Sequence, residues 1–222
     1  MHRDDSHSLD EQLLWLPLPL AQLCRRAQNA KTPLERHLAA YYLWEAALKL
    51  LGSTAVIEYA ELGDHDPELA QRLHNLARPA VGHWWEFVRR LTPVLADRGD
   101  KSFMAIRDLV LGGARGDLPR AAGLYAAVVE ALGGRGGARS TVRLAELFDC
   151  LVAYRNREIG HGAAGLRSGE FYDRMGHALL LGLTEILRHV DVLAGRRLVC
   201  VSDVCRLPDG GWSVERLDLV GE

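Results

Sequence analysis

Between Thr32 and Leu51 the chain reads TPLERHLAAYYLWEAALKLL, a run that admits few folds. Thr32, Pro33 and Glu35 form a helix start. The threonine can accept from a free N–H, the fixed φ of proline suits the first turn, and a carboxylate stands at the capping-box position. Beyond that start Leu34, Leu38, Tyr41, Tyr42, Leu43, Ala46, Leu48 and Leu50 leave little polar circumference, so other helices must enclose this one on most sides. Glu45 is its polar exception. It either pairs with Lys49 one turn on or reaches a more distant cation as a supporting carboxylate. His37, crowded beside Glu35 and Arg36, reads as a surface histidine.

Other helical patterns surround this run. After Pro17 and Pro19 a short helix spans Leu20 to Asn29, and Gly52-Ser53 reads as a break before another helix to Leu62. Asp66-Pro67 opens a helix to Leu76. Arg78-Pro79 opens one through Leu91, with Trp84, Phe87, Val88 and Leu91 towards a core. Ser102 to Leu111, Leu118 to Leu132 capped by Asp117, a helix begun at Ser140, and Glu170 to Leu193 complete the set. Leu198 to Val204 and Trp212 to Leu219 alternate around Pro208-Asp209-Gly210-Gly211, which is a β-hairpin pattern. The expected class is all-α, a helical bundle with a C-terminal β-hairpin appendage. Residues 1–31 form an N-terminal arm and short helix, 32–196 the bundle, and 197–222 the hairpin. A lone hairpin is marginal in water, so it needs the bundle, a partner chain or further strands, and the chain reads as a fragment of a larger protein.

The formal net charge of −2 argues against broad nonspecific binding of nucleic acid, so any RNA contact has to be local. Cys24, Cys150, Cys200 and Cys205 include no close CxxC pair, and HExxH is absent; no metal or cofactor is expected. Reduced thiols and the lack of a secretory leader suit the cytoplasm. The run Leu13 to Leu23 is broken by two prolines and too short to span a bilayer, so no membrane partner is expected. Neither glycine loop, Gly112-Gly113-Ala114-Arg115-Gly116 nor Gly133-Gly134-Arg135-Gly136-Gly137, has the ending of a phosphate-binding P-loop. Both read as hinges, with Arg135 able to touch a phosphate chain. His83-Trp84-Trp85 reads as core, since no basic residues interleave the aromatics.

Chemistry concentrates in Leu144 to Gly162, LAELFDCLVAYRNREIGHG. Leu144, Leu147, Phe148, Leu151 and Tyr154 recur at helical spacing, and Arg155 continues the same face. A guanidinium in that position needs an anion, either a carboxylate or an incoming phosphate. On a continuing helix Arg155 and His161 would face different ways, so the helix has to end at Gly160 for them to meet. Histidine passes protons near neutral pH, arginine holds phosphoryl oxygens with paired donors, and Asn156 can orient either. Such a trio suits attack of an RNA 2′-hydroxyl on the neighbouring phosphate. Arg157, four residues before His161, competes with Arg155 for the role, and Glu158 can neutralise either arginine.

Arg155-Asn156, four further residues and His161 resemble the signature of the HEPN family: arginine, commonly a polar residue, then four to six residues and histidine. The motif falls between the last two long helices, as it does in that family. The resemblance implies a helical bundle, often dimeric, that brings two motifs into one composite site. Many such domains are metal-independent endoribonucleases of toxins and antiviral defence systems. Others are inactive dimerisation or ligand-binding modules. By this resemblance Arg155 binds phosphate, His161 handles protons and Asn156 supports them, with Arg157, Glu158 and Glu45 around them. The expected partners are a second copy and an RNA substrate. The alternative is a noncatalytic docking module of a multidomain sensor, with a partner protein or additional domains.

Overall fold

The computed structural model describes residues 13–14, 16–159, 167–194 and 196–219. Helix α1 (Leu18–Gln28) carries Pro19 in its first turn, where a missing N–H leaves no intrahelical bond unmade. Its Leu20, Ala21, Cys24 and Ala27 are buried against α2 (Pro33–Glu61). Thr32 caps α2 by accepting from the Glu35 N–H at 3.2 Å, while Glu35 reaches back to the Lys31 N–H, also at 3.2 Å. The break expected at Gly52-Ser53 does not occur; α2 runs for 29 residues. A Cβ on Gly52 would lie 2.9 Å from Trp84 Cε3. The glycine therefore marks a close crossing with the next long helix, not a stop.

Asp66 caps α3 (Pro67–Arg72), which tightens into a 3₁₀ turn over Leu73–Ala77. Helix α4 (Val81–Asp97) continues past Leu91 with Pro93 inside it. Trp85, not Trp84, is the deeper tryptophan: it is buried, packs edge-on to Phe148 and donates its indole N–H to Asp149 at 2.7 Å. Helix α5 (Lys101–Ile106) widens into a π turn over Arg107–Leu111.

Helix α6 (Pro119–Ala131) is not capped by Asp117, which pairs instead with Arg115 at 2.8 Å. One of its first-turn N–H groups is met from elsewhere in the chain: Glu185 accepts from the Ala121 N–H at 2.8 Å. After α6 the glycine loop folds back onto it, and a Cβ on Gly136 would sit 2.5 Å from the Ala126 carbonyl oxygen. Close approach of backbone to helix is thus what these glycines allow. Val142 exchanges two backbone hydrogen bonds with Arg115, so α7 (Leu144–Tyr154) starts later than Ser140. Ser168 caps α8 (Gly169–Leu187) by accepting from the Phe171 N–H, and a separate turn, α9 (Asp191–Ala194), replaces the expected continuation to Leu193.

The long central helix α2 lies against α1, α4 and α8, and α6 and α8 pack closely on one another. A single apolar cluster runs through all of them. Among the described residues no helix is long and apolar enough to cross a membrane. Strands β1 (Val199–Arg206) and β2 (Trp212–Asp218) pair antiparallel around a turn with Gly210 at φ +87°. The fold is thus all-α with a C-terminal hairpin. Every strand residue is exposed. The Leu18 N–H donates to the Leu219 carbonyl at 3.0 Å, and Arg197 pairs with Asp218 at 2.7 Å. Cys200 and Cys205 are free thiols on one strand, where no disulfide can join them.

Candidate functional site

Helix α7 buries Leu144, Leu147, Phe148, Leu151 and Tyr154, the five positions its periodicity marks. At Arg155 the coil widens into a π turn over Arg155–Ile159. Such a turn holds an extra residue and rotates the succeeding side chains about the axis. The side chain delivered into the protein is therefore that of Glu158, which is 7 % exposed. Arg155 is half-buried, and Asn156 and Arg157 are exposed. Gly160 and His161, on which the expected helix stop and proton transfer rest, lie outside the described residues, as does Trp15.

The charged residues of the turn have different partners. Arg157 Nη1 donates to the Leu132 carbonyl at 2.9 Å, at the C-terminal cap of α6, where a cation is favoured. Glu158 receives Arg167 through two N–H donors, Nε at 3.0 Å and Nη2 at 2.7 Å, with Arg157 Nε 3.4 Å away. Those Arg167 hydrogen bonds hold the Glu158 carboxyl below the usual carboxylate range, against the opposing effect of partial desolvation. Arg155, by contrast, reaches only the Asn156 Oδ1, at a long 3.4 Å, and forms no salt bridge among the described residues.

Glu45 gives its carboxylate to Lys49 at 2.7 Å. It also acts on Tyr41, as Arg155 does with the opposite sign. Burial is the chief reason the Tyr41 phenol is pushed up, and among the described residues its hydroxyl has no hydrogen-bond partner. The two charges thus share a neighbourhood around one buried phenol.

Behind the π turn lies a histidine that sequence reasoning placed on the surface. His37 is fully buried, and its Nε2 shares a 2.7 Å hydrogen bond with the Tyr154 hydroxyl. The Tyr172 ring packs 5.1 Å away, and Nδ1 is buried without a partner among the described residues. Burial lowers the His37 pKa to about 4, outweighing the upward pull of Glu158. It is therefore neutral at pH 7. Burial likewise pushes the Tyr154 phenol up, with Glu158 adding to it. Gly176 on α8 makes room, since a Cβ there would lie 3.0 Å from the His37 backbone nitrogen. A signal for this existed in the sequence: His37, Tyr41, Trp44 and Leu48 form one helical stripe, and all four are buried.

Two layers result. His37 and Tyr154 join α2 to α7 from inside, while the Glu158–Arg167 pair joins the π turn to the foot of α8. Among the described residues the Arg155 guanidinium and the Asn156 carboxamide contact only each other. Their chemistry suits a phosphoryl group, which accepts paired N–H donors. Among the described residues no group of histidine, cysteine and carboxylate side chains is placed to hold a metal ion. Compared with known proteins, the chain finds no matching family model and no significant match to a curated protein or a solved structure.

Proposed function

We propose that the chain is a metal-independent endoribonuclease of the HEPN type, acting as a homodimer through Arg155, Asn156 and His161 in a toxin or antiviral-defence role. The observation that supports this is the division of labour along the π turn. Arg157 and Glu158 are held by Leu132 and Arg167, whereas Arg155 and Asn156 contact only each other among the described residues.

In this reading Arg155 holds the non-bridging oxygens of the scissile phosphate. The ribose 2′-oxygen forms a bond to phosphorus as the bond from phosphorus to the 5′-oxygen breaks. One proton leaves the 2′-hydroxyl and one reaches the departing 5′-oxygen, giving a 2′,3′-cyclic phosphate and a 5′-hydroxyl. His161 carries protons in this scheme by resemblance to the family motif, with Asn156 orienting it or the phosphate. The overall charge of −2 keeps RNA binding local to this cluster.

A noncatalytic docking module is the second reading, favoured by the exposed hairpin and by the net charge of −2. Incubation with RNA in EDTA separates the two. Cleavage leaving cyclic phosphate ends, lost in His161→Ala, is expected; equal cleavage by both proteins, or none by either, rejects the nuclease.

A further inference from the structure

Packing keeps Gly134 and Gly136 bare: a Cβ there would stand 2.7 Å from Val129 Cγ1 and 2.5 Å from the Ala126 carbonyl oxygen. Gly123 and Gly137 have no such reason. Neither has a positive φ, and beyond its own chain neighbours a Cβ on either would meet nothing within 4 Å. Gly123 lies inside α6, where glycine is less stable than alanine, so its missing side chain gains nothing for the fold. Both glycines line one open groove of about 420 Å³ between α6, α8 and the glycine loop. Arg120 and Arg174 stand on its walls. Arg139, on the loop, lies over the Tyr125 ring at 4.8 Å. From Pro119 to Val142 the sequence holds Arg120, Arg135 and Arg139 against the single acid Glu130, in a chain whose net charge is −2.

We propose that this groove holds the backbone of a single-stranded RNA running away from Arg155. The inference rests on the reading of Arg155 as a phosphate ligand and extends it from the scissile phosphate to the strand beyond. Continuity with the motif comes from α6. Arg174 and Glu130 pair at 3.1 Å at one end of the groove, next to Leu132, whose carbonyl takes Arg157 at 2.9 Å. Both members of the Arg174–Glu130 pair are more than half exposed, so the pair is weak and Arg174 can turn to a phosphate. From Glu130 back to Arg120 the wall of α6 is about 15 Å long. Gly123, Ala126, Ala127, Gly136, Gly137 and Ala138 line the groove, which lets a sugar-phosphate chain come close to the protein backbone. An acidic peptide would meet the same arginines, but such a lining lacks the large pocket that an anchoring side chain needs. Tyr125 and the Arg139 guanidinium add flat faces on which a base can stack.

Fluorescence anisotropy on the full chain, with an uncleavable 2′-O-methyl oligoribonucleotide of about twelve residues, reads binding apart from cleavage. Arg135→Ala/Arg139→Ala should weaken binding by about tenfold or more, and its slope of log K against log salt should be shallower by about 1.4, two charges at about 0.7 each. Gly123→Glu should unfold at the wild-type temperature or above it, since glutamate is the better helix former, yet should bind at least about tenfold more weakly. Cleavage of a dinucleotide, which reaches no further than the scissile phosphate, should be the same in both variants as in the wild type. An oligonucleotide that does not bind, or that binds both variants as well as the wild type, overturns the proposal. So does poly-glutamate that binds in preference to the oligonucleotide, which assigns the groove to an acidic protein. Binding that depends on the groove, with no cleavage of any RNA, supports the groove and rejects the nuclease. Dinucleotide cleavage without groove-dependent binding rejects the groove alone.

Discussion

Glu158 and Arg167, nine positions apart and on either side of His161 in the sequence, hold each other through two N–H···O contacts of 3.0 and 2.7 Å. One partner is buried and the other is 40 % exposed. Glu158→Gln should therefore cost about 1–2 kcal/mol, below the cost of breaking a fully buried pair. Arg167 depresses the Glu158 pKa, so the stabilisation is present above the ordinary carboxylate range and is lost as pH falls through the depressed value. Urea denaturation should show the difference between wild type and variant shrinking in acid.

His37 supplies a second pH dependence, in a different window. Its pKa is lowered from 6.5 to about 4, so the unfolded chain takes up a proton that the folded chain refuses. Stability from this site is complete above pH 6.5 and falls as pH drops from 6.5 towards 4. The loss is on the order of 3 kcal/mol, from the free energy of one pKa unit. His37→Gln keeps a polar group facing Tyr154 but cannot titrate there. Its stability should change less than that of the wild type between pH 7 and pH 5, whatever the variant costs at pH 7.

Gly182 sets how closely α6 and α8 approach. A Cβ there would stand 2.8 Å from Leu124 Cβ and 3.1 Å from the Arg120 carbonyl oxygen, and neither atom lies at the free end of a side chain. Ordinarily Gly→Ala within a helix gains about 1 kcal/mol. Here overpacking should reverse the sign and leave a net loss of about 1–2 kcal/mol, read from thermal or urea unfolding. An unchanged or raised stability would show that the two helices can part to admit a methyl group.

Local rules carried the sequence reading where a residue's nearest neighbours decide its role. Thr32 and Asp66 cap their helices, Glu45 takes Lys49, and the alternating C-terminal segments pair as a hairpin. The reading failed where a distant element decides. Gly52 looks like a helix breaker until Trp84 is seen against it, and Asp117 looks like a cap until Glu185 arrives from α8. His37 looked polar enough for the surface, and only the stripe through Tyr41 and Trp44 places it inside. At the candidate site, the widened turn after Tyr154 leaves no periodic signature in RNREI. That turn brings Glu158 to Arg167 and leaves Arg155 half-buried.

Arg155 and Arg157 stand two residues apart with opposite commitments, so comparing their alanine variants tests the central claim most directly. RNA cleavage and thermal unfolding would be measured side by side on Arg155→Ala, Arg157→Ala and the wild type. Arg155→Ala should unfold like the wild type while its cleavage rate falls by about 100-fold or more, as for loss of a group that stabilises charge in the transition state. Arg157→Ala, which loses its bond to the Leu132 carbonyl, should lower stability by about 1 kcal/mol and keep most of the rate. Full activity in Arg155→Ala, with the rate lost in a well-folded Arg157→Ala, would contradict the assignment.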